Sequence, residues 1–132
     1  MEHKKPIVID SAACEWQTRD AYQMTEQGRV RWKTLLSGER TASHSLTMGL
    51  LELPPREQLV RHRHQPVETY YILTGTGQVE VEGEIYPLSG GSAVFVPANA
   101  GHQLTNTGPT VMQVIYTFPI DAFAEVAYVY DK

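Results

Sequence analysis

The chain carries one cysteine, no long apolar run and no strongly basic segment. A single thiol, Cys14, cannot close an intrachain disulfide, so the fold must rest on its packed core, and a reducing compartment is expected. Cys14 itself reads as a small apolar residue near the N-terminus rather than a nucleophile. No apolar stretch approaches the ~20 residues of a membrane-spanning helix. Ile7-Val8-Ile9, after Lys4-Lys5, is too short for the core of a signal peptide, so the cytoplasm is the expected location. Eleven Lys and Arg stand against fifteen Asp and Glu, for a net charge of −4 and a pI near 5.7. The densest basic run is Arg61-His62-Arg63-His64, which argues against nucleic acid as the main ligand. Low-complexity linkers and internal repeats are also missing.

What is present suits one compact domain. At 132 residues and 14.8 kDa the chain can bury a core without staples. Ser11 to Asp20 is expected to form a short N-terminal helix capped by Asp10 or Ser11. After Gly28 the pattern changes to short alternating segments. Val30, Trp32, Thr34 and Leu36 alternate with more polar neighbours, and Leu46 to Leu53 also reads as period two. Further strands are expected at Gln58–His64, Glu68–Leu73, Gln78–Val81, Glu84–Leu88, Ser92–Val96, Gln103–Thr105 and Val111–Phe118. Turn signals separate them: Pro54-Pro55, Gly75-Thr76-Gly77, Glu82-Gly83, Ser89-Gly90-Gly91 and Asn106 to Pro109. One helical turn at Ile120–Phe123 and a last strand at Glu125–Tyr130 complete the reading. Many short strands at regular spacing indicate an all-β sandwich or barrel. The expected layout is an arm over 1–28, a barrel over 29–118 and a C-terminal turn and strand over 119–132.

Three of the five histidines and one glutamate form a pattern. His62 and His64, one residue apart, face the same side of an extended chain. Glu68 keeps their parity beyond a turn at Pro66, and His102 ends Pro97-Ala98-Asn99-Ala100-Gly101-His102. Three imidazoles and a carboxylate suit one divalent transition metal, with Fe(II) or Mn(II) favoured and Ni(II), Co(II) or Zn(II) also compatible. His3 and His44 read as exposed and incidental. A lone His-x-His is a weak signal; the longer pattern is stronger. Gly75 follows Glu68 after six residues, Gly91 precedes Pro97 by five, and Asn106 follows His102 after three.

The arrangement His-x-His-x3-Glu-x6-Gly, then Gly-x5-Pro-x4-His-x3-Asn, resembles the two motifs of the cupin superfamily over Arg56 to Asn106. The resemblance implies a double-stranded β-helix, or jelly-roll barrel, holding one metal ion on His62, His64, Glu68 and His102. Two positions depart from it: Arg56 and Asn99 stand where the motifs usually carry glycine. Asparagine tolerates positive φ better than most residues, so the turn at Asn99 is expected to survive.

Four protein ligands on an ion that accepts five or six leave positions for a substrate carboxylate or for O₂. Tyr70, two residues past Glu68, shares its face of the strand. A nearby cation favours the phenolate, so a group with an ordinary pKa near ~10 becomes a candidate general base. Tyr71 has the opposite parity and is expected outside. Arg31, Lys33 and Arg56 are expected in solvent.

A narrower resemblance reaches along nearly the whole chain. Glu68-Thr69-Tyr70, Glu15-Trp16, Val30-Arg31-Trp32-Lys33 and the segment from Phe118-Pro119 to Tyr128 are similar to the small cupin lyases that cleave dimethylsulfoniopropionate. That likeness implies β-elimination to dimethyl sulfide and acrylate, with Tyr70 as base. The sulfonium group of such a substrate would rest on aromatic faces, for which Trp32, Tyr116 and Tyr128 are the candidates. Two other functions use the same scaffold: an Fe(II)-dependent dioxygenase, and a non-catalytic small-molecule-binding protein. The expected partner is a small carboxylate substrate, without nucleic acid or membrane; a homodimer through edge strands is compatible with the sequence, although no residue specifies one.

Overall fold

Thr47, Gly49, Leu51 and Leu53 are buried, whereas Met48, Leu50 and Glu52 between them are only partly covered. Extended chain turns successive side chains to opposite faces, and the same alternation recurs at His102–Asn106 and Met112–Phe118. In the computed structural model, which describes residues 5–131, these segments belong to ten strands. They are β1 (Arg31–Leu36), β2 (Thr47–Leu53), β3 (His62–Arg63), β4 (Glu68–Thr74), β5 (Thr76–Val81), β6 (Glu84–Ser89), β7 (Ala93–Val96), β8 (His102–Asn106), β9 (Met112–Phe118) and β10 (Val129–Tyr130).

They form two five-stranded antiparallel sheets, ordered β1-β2-β9-β4-β7 and β10-β3-β8-β5-β6. Leu53, Ile72, Val96, Leu104, Met112, Val114 and Phe118 are fully buried between them. Each such side chain contributes roughly 1.5–3 kcal/mol of transfer free energy. The architecture is the jelly roll that the motifs imply. Gly75 marks where the chain leaves one sheet for the other: its φ is +97°, and a Cβ there would lie 2.9 Å from the Met112 Cα. Pro87 falls on β6, an outer strand, where a missing N–H is tolerated. No helix among the described residues is long and apolar enough to cross a membrane.

The ends depart from the expected elements. Instead of a helix over Ser11–Asp20, a single 3-10 turn covers Ser11–Ala13, with the Asp10 carboxylate accepting from the Ala12 amide. Beyond it the backbone is drawn onto β1. Gln17 and Trp32 exchange two amide–carbonyl bonds of 2.6 and 2.9 Å, and the Gln17 side chain accepts from Thr34. Pairing with a strand has outweighed local helix preference. Only His62–Arg63 of the expected strand Gln58–His64 joins a ladder. The Tyr22 hydroxyl instead takes the Val60 amide, and Gln103 donates to the Leu59 carbonyl. The expected turn at Ile120–Phe123 lies slightly later, at Phe123–Glu125, and the last strand shortens to Val129–Tyr130 because β3 offers only two partners. His3 lies outside the described residues, and His44 is exposed.

Candidate metal centre

The strand ladder brings the first pair of site residues together. His62 on β3 stands directly opposite His102 on β8, with ring centroids 4.3 Å apart. His64 follows one residue beyond the end of β3, and Glu68 opens β4 in the facing sheet. One ligand atom from each of the four residues lies within 4.8 Å of the others, and all four side chains are buried. Both sheets therefore contribute to the cluster.

Hydrogen bonds orient all three rings alike. The Nδ1 atoms of His62, His64 and His102 face the carbonyls of Val60, Pro66 and Ala100 at 2.8, 2.9 and 2.9 Å. A carbonyl only accepts, so each Nδ1 carries its proton when the ring is neutral, leaving the Nε2 lone pair free. Backbone partners of this kind fix the tautomer of metal-binding histidines. Glu68 Oε1 lies 3.2 Å from His64 Nε2 and 3.4 Å from His102 Nε2. His102 Nε2 is nonetheless buried without a hydrogen-bond partner among the described residues. An orphaned imidazole nitrogen facing a buried carboxylate fits a bound cation. The donor set is able to hold one divalent transition metal.

Electrostatics within the cluster distinguish its members. Burial, and then the neighbouring His102, lowers the His62 pKa to about 4, so that ring is neutral at pH 7. Burial also disfavours charge on His64, but Glu68, through its hydrogen bond and its charge, more than offsets this and raises that pKa. Burial would raise Glu68, yet the adjacent His102 and His64 rings hold it below the usual carboxylate value.

Beside the cluster opens a cavity of about 490 Å³. His62, Glu68, Tyr70, Trp32, Tyr116 and Tyr128 all line it. The four aromatic residues singled out from the sequence thus reach one space. Tyr70 is buried on the Glu68 side of β4, while Tyr71 is exposed on the other face. Tyr128 packs 4.9 Å from the His62 ring and 5.2 Å from that of His64. Desolvation, followed by the Glu68 charge, pushes the phenols of Tyr70 and Tyr128 well above their ordinary pKa.

The Cupin domain family model matches residues 49–118, a span that holds all four ligand candidates. The chain belongs to the cupin family. Dimethylsulfoniopropionate lyase DddW from Ruegeria pomeroyi is 36% identical over 76% of this chain and 66% of its own length. A 5-nitrosalicylic acid 1,2-dioxygenase from Bradyrhizobium is 34% identical over 63% of this chain and 41% of its own. The cupin thus spans two thirds or less of these relatives. The crystal structure of the polyketide cyclase RemF from Streptomyces resistomycificus superposes with a TM-score of 0.74 at 14% identity. It covers 97% of this chain and 88% of that one, a likeness of fold alone.

The two departures from the cupin motifs keep the backbone that glycine would adopt. Arg56 has φ +70° and Asn99 has φ +61°. Arg56 is exposed as expected, donating to the Thr107 carbonyl. Arg31 and Lys33 are not free in solvent: both are half-buried, Arg31 bonds Glu52, and both cations lie over the Trp16 ring. Sequence reasoning also missed part of the cavity wall. Arg19, Tyr22, Phe123 and Tyr130 line it as well. Tyr130 shares the parity of Tyr128, a signal available in the sequence; nothing in the sequence near Arg19 and Tyr22 pointed to a site.

Proposed function

We propose that this cupin is a metal-dependent carbon–sulfur lyase that cleaves dimethylsulfoniopropionate to dimethyl sulfide and acrylate. The observation that carries the reading is Tyr70, buried on the Glu68 face of β4 and lining the cavity beside the four ligand candidates. The likeness to a dimethylsulfoniopropionate lyase supports it. His62, His64, Glu68 and His102 would hold the ion, with Fe(II) or Mn(II) favoured and Ni(II), Co(II) or Zn(II) also suited to the donors. Such a cation would draw electron density from the substrate carboxylate, acidify the adjacent C–H and favour the ionised form of Tyr70.

Tyr70 then accepts the proton from the carbon next to the carboxylate. The C–H electrons form the new C=C bond, and the C–S electrons leave with neutral dimethyl sulfide. Trp32, Tyr116 and Tyr128 supply faces for the sulfonium, worth roughly 0.5–2 kcal/mol of cation–π attraction. Cys14 is unpaired, in keeping with a cytoplasmic location. The outer strands β6 and β7 carry exposed Ile85, Tyr86 and Phe95, which supports pairing of two copies.

The test is a headspace assay with protein loaded in turn with Fe, Mn, Ni, Co and Zn. Dimethyl sulfide and acrylate are expected in equal amounts, and Tyr70→Phe should keep its metal while losing about 10²-fold or more in rate. No sulfide with any metal refutes the lyase; an unchanged Tyr70→Phe rate removes the base. The second reading, an Fe(II) dioxygenase, draws on the dioxygenase relative. Oxygen consumption distinguishes it, because the elimination uses none.

A further inference from the structure

Arg61 and Gly101 each stand directly before a ligand candidate, His62 and His102. Each also directly follows the residue, Val60 or Ala100, whose carbonyl orients that ring. Neighbours in an extended chain face opposite sides, so both positions lie behind the ligands, on the outside of the sheet. There they touch. A Cβ on Gly101 would fall 2.6, 2.7 and 2.8 Å from Nη2, Nη1 and Cζ of Arg61, so the guanidinium crosses a position that glycine leaves clear.

The crossing falls where the ladder is thinnest. β3 has two residues and meets β8 in one register pair, His62 with His102. Upstream, the chain is next tied to β8 by the Leu59 amide, 2.9 Å from the Leu104 carbonyl. On its other side β3 meets β10, itself only two residues long. Arg61 braces these strands. Its Nε and Nη2 bond the two carboxylate oxygens of Glu80 on β5 at 2.7 and 3.1 Å, and its Nη1 bonds Asp131 just past β10. One guanidinium thus spans β10, β3, β8 and β5, which are consecutive in their sheet. The Asp131 amide returns a bond of 3.0 Å to the Arg61 carbonyl. Glu82 fixes the Gly101 backbone in the same way: its carboxylate accepts from the Gly101 amide at 2.6 Å, and its amide donates to the Gly101 carbonyl at 2.9 Å. A planar fork held by two carboxylates fixes direction as well as distance, which a lone exposed ion pair does not.

We propose that Arg61 is a positioning residue of the metal centre, holding the strands of His62 and His102 together from behind, and that Gly101 is glycine so that this crossing stays open. The inference rests on the metal-centre reading and is independent of the reaction catalysed. Because the same guanidinium holds Asp131, it also anchors the C-terminal segment whose Tyr128 and Tyr130 line the cavity.

The test uses Co(II), titrated into the full chain against a competing chelator, with its visible absorption read for ligand geometry and urea unfolding read for stability. Arg61→Met should bind Co(II) about tenfold or more weakly than wild type, with shifted absorption bands. Gly101→Ala, which keeps the arginine but obstructs the crossing, should do the same. Arg61→Lys, which has the charge without the fork, should fall between wild type and Arg61→Met. Arg31→Met is the control: it removes an ion pair, with Glu52, in the other sheet, and should leave Co(II) affinity and bands unchanged. Wild-type affinity and bands in both Arg61→Met and Gly101→Ala overturn the proposal, as does an equal loss of affinity in Arg31→Met. Should Arg61→Met fail to fold, Gly101→Ala and Arg61→Lys carry the comparison, and wild-type binding in both overturns it. Wild-type protein that takes up no Co(II) refutes the metal centre and this role with it, whereas uptake matched by the variants refutes the role alone. Dimethyl sulfide is not among these readouts, so a failed lyase assay remains a separate result.

Discussion

Gly49 sits opposite Tyr116 in the β2–β9 ladder. A Cβ built on it would lie 2.2 Å from both the Cζ and the hydroxyl of Tyr116. Carbon atoms touch at roughly 3.5–4.0 Å, so Gly49→Ala creates an overlap of more than ~1 Å with the far end of a ring. That ring is 5% exposed and packs against Phe118 and Phe123 at centroid distances of 6.0 and 5.9 Å. It can move only into the cavity or against those neighbours. Forcing extra volume into a packed core costs about 1–3 kcal/mol, and Gly49→Ala should lose that much. Tyr116→Val removes the three ring atoms the added methyl meets first, and is itself destabilising. The double variant should therefore be more stable than the sum of the single losses by about 1 kcal/mol or more. Urea unfolding of the four proteins measures this. Additive losses, or a Gly49→Ala midpoint equal to wild type, would refute the argument that this glycine exists to admit Tyr116.

Replacing His102 by Ala should leave a folded protein that loses its metal on dialysis, measured by elemental analysis; full retention would exclude that nitrogen as a ligand. Asn106, buried at the end of the second motif, donates to the Leu53 and Thr110 carbonyls at 2.9 and 2.8 Å and accepts from the Gly108 amide at 2.9 Å. Asn106→Ala orphans all three, and should cost about 3 kcal/mol in urea unfolding without changing metal content; a loss within experimental error would contradict that pinning role. Arg61 bonds Glu80 and Asp131, and its hydrogen bond is the main cause holding the Glu80 carboxyl below its ordinary value of 4.5. Because the folded-state value is depressed, this stabilisation is present above about 4.5 and is lost as pH falls through the folded value. The stability of wild type should thus fall more steeply with acid than that of Glu80→Gln, and parallel curves would show that the pair contributes nothing.

The His-x-His spacing was enough to set two imidazoles on one face, because the period of an extended chain is two whatever surrounds it. The glycine positions were legible for a similar reason. Gly75 needs φ > 0, and Arg56 and Asn99 adopt that conformation despite their side chains. Less legible were the ends of the chain. Ser11–Asp20 has residues suited to a helix, but the free edge of β1 captured Gln17. A strand candidate beginning at Gln58 keeps a bridge to Thr105, but its Val60 amide and Leu59 carbonyl go to the side chains of Tyr22 and Gln103.

Residue order alone therefore determined the β class, the fourfold donor set and the face on which Tyr70 lies, since these follow from local periodicity and from motif spacing. Tertiary structure decided how those pieces meet. The two sheets place Glu68 against histidines of the opposite layer, and the N-terminal arm and C-terminal strand bring Arg19 and Tyr130 together, more than a hundred residues apart in the chain. Such contacts depend on how sheets stack and which edges remain free, and short-range periodicity carries no record of either.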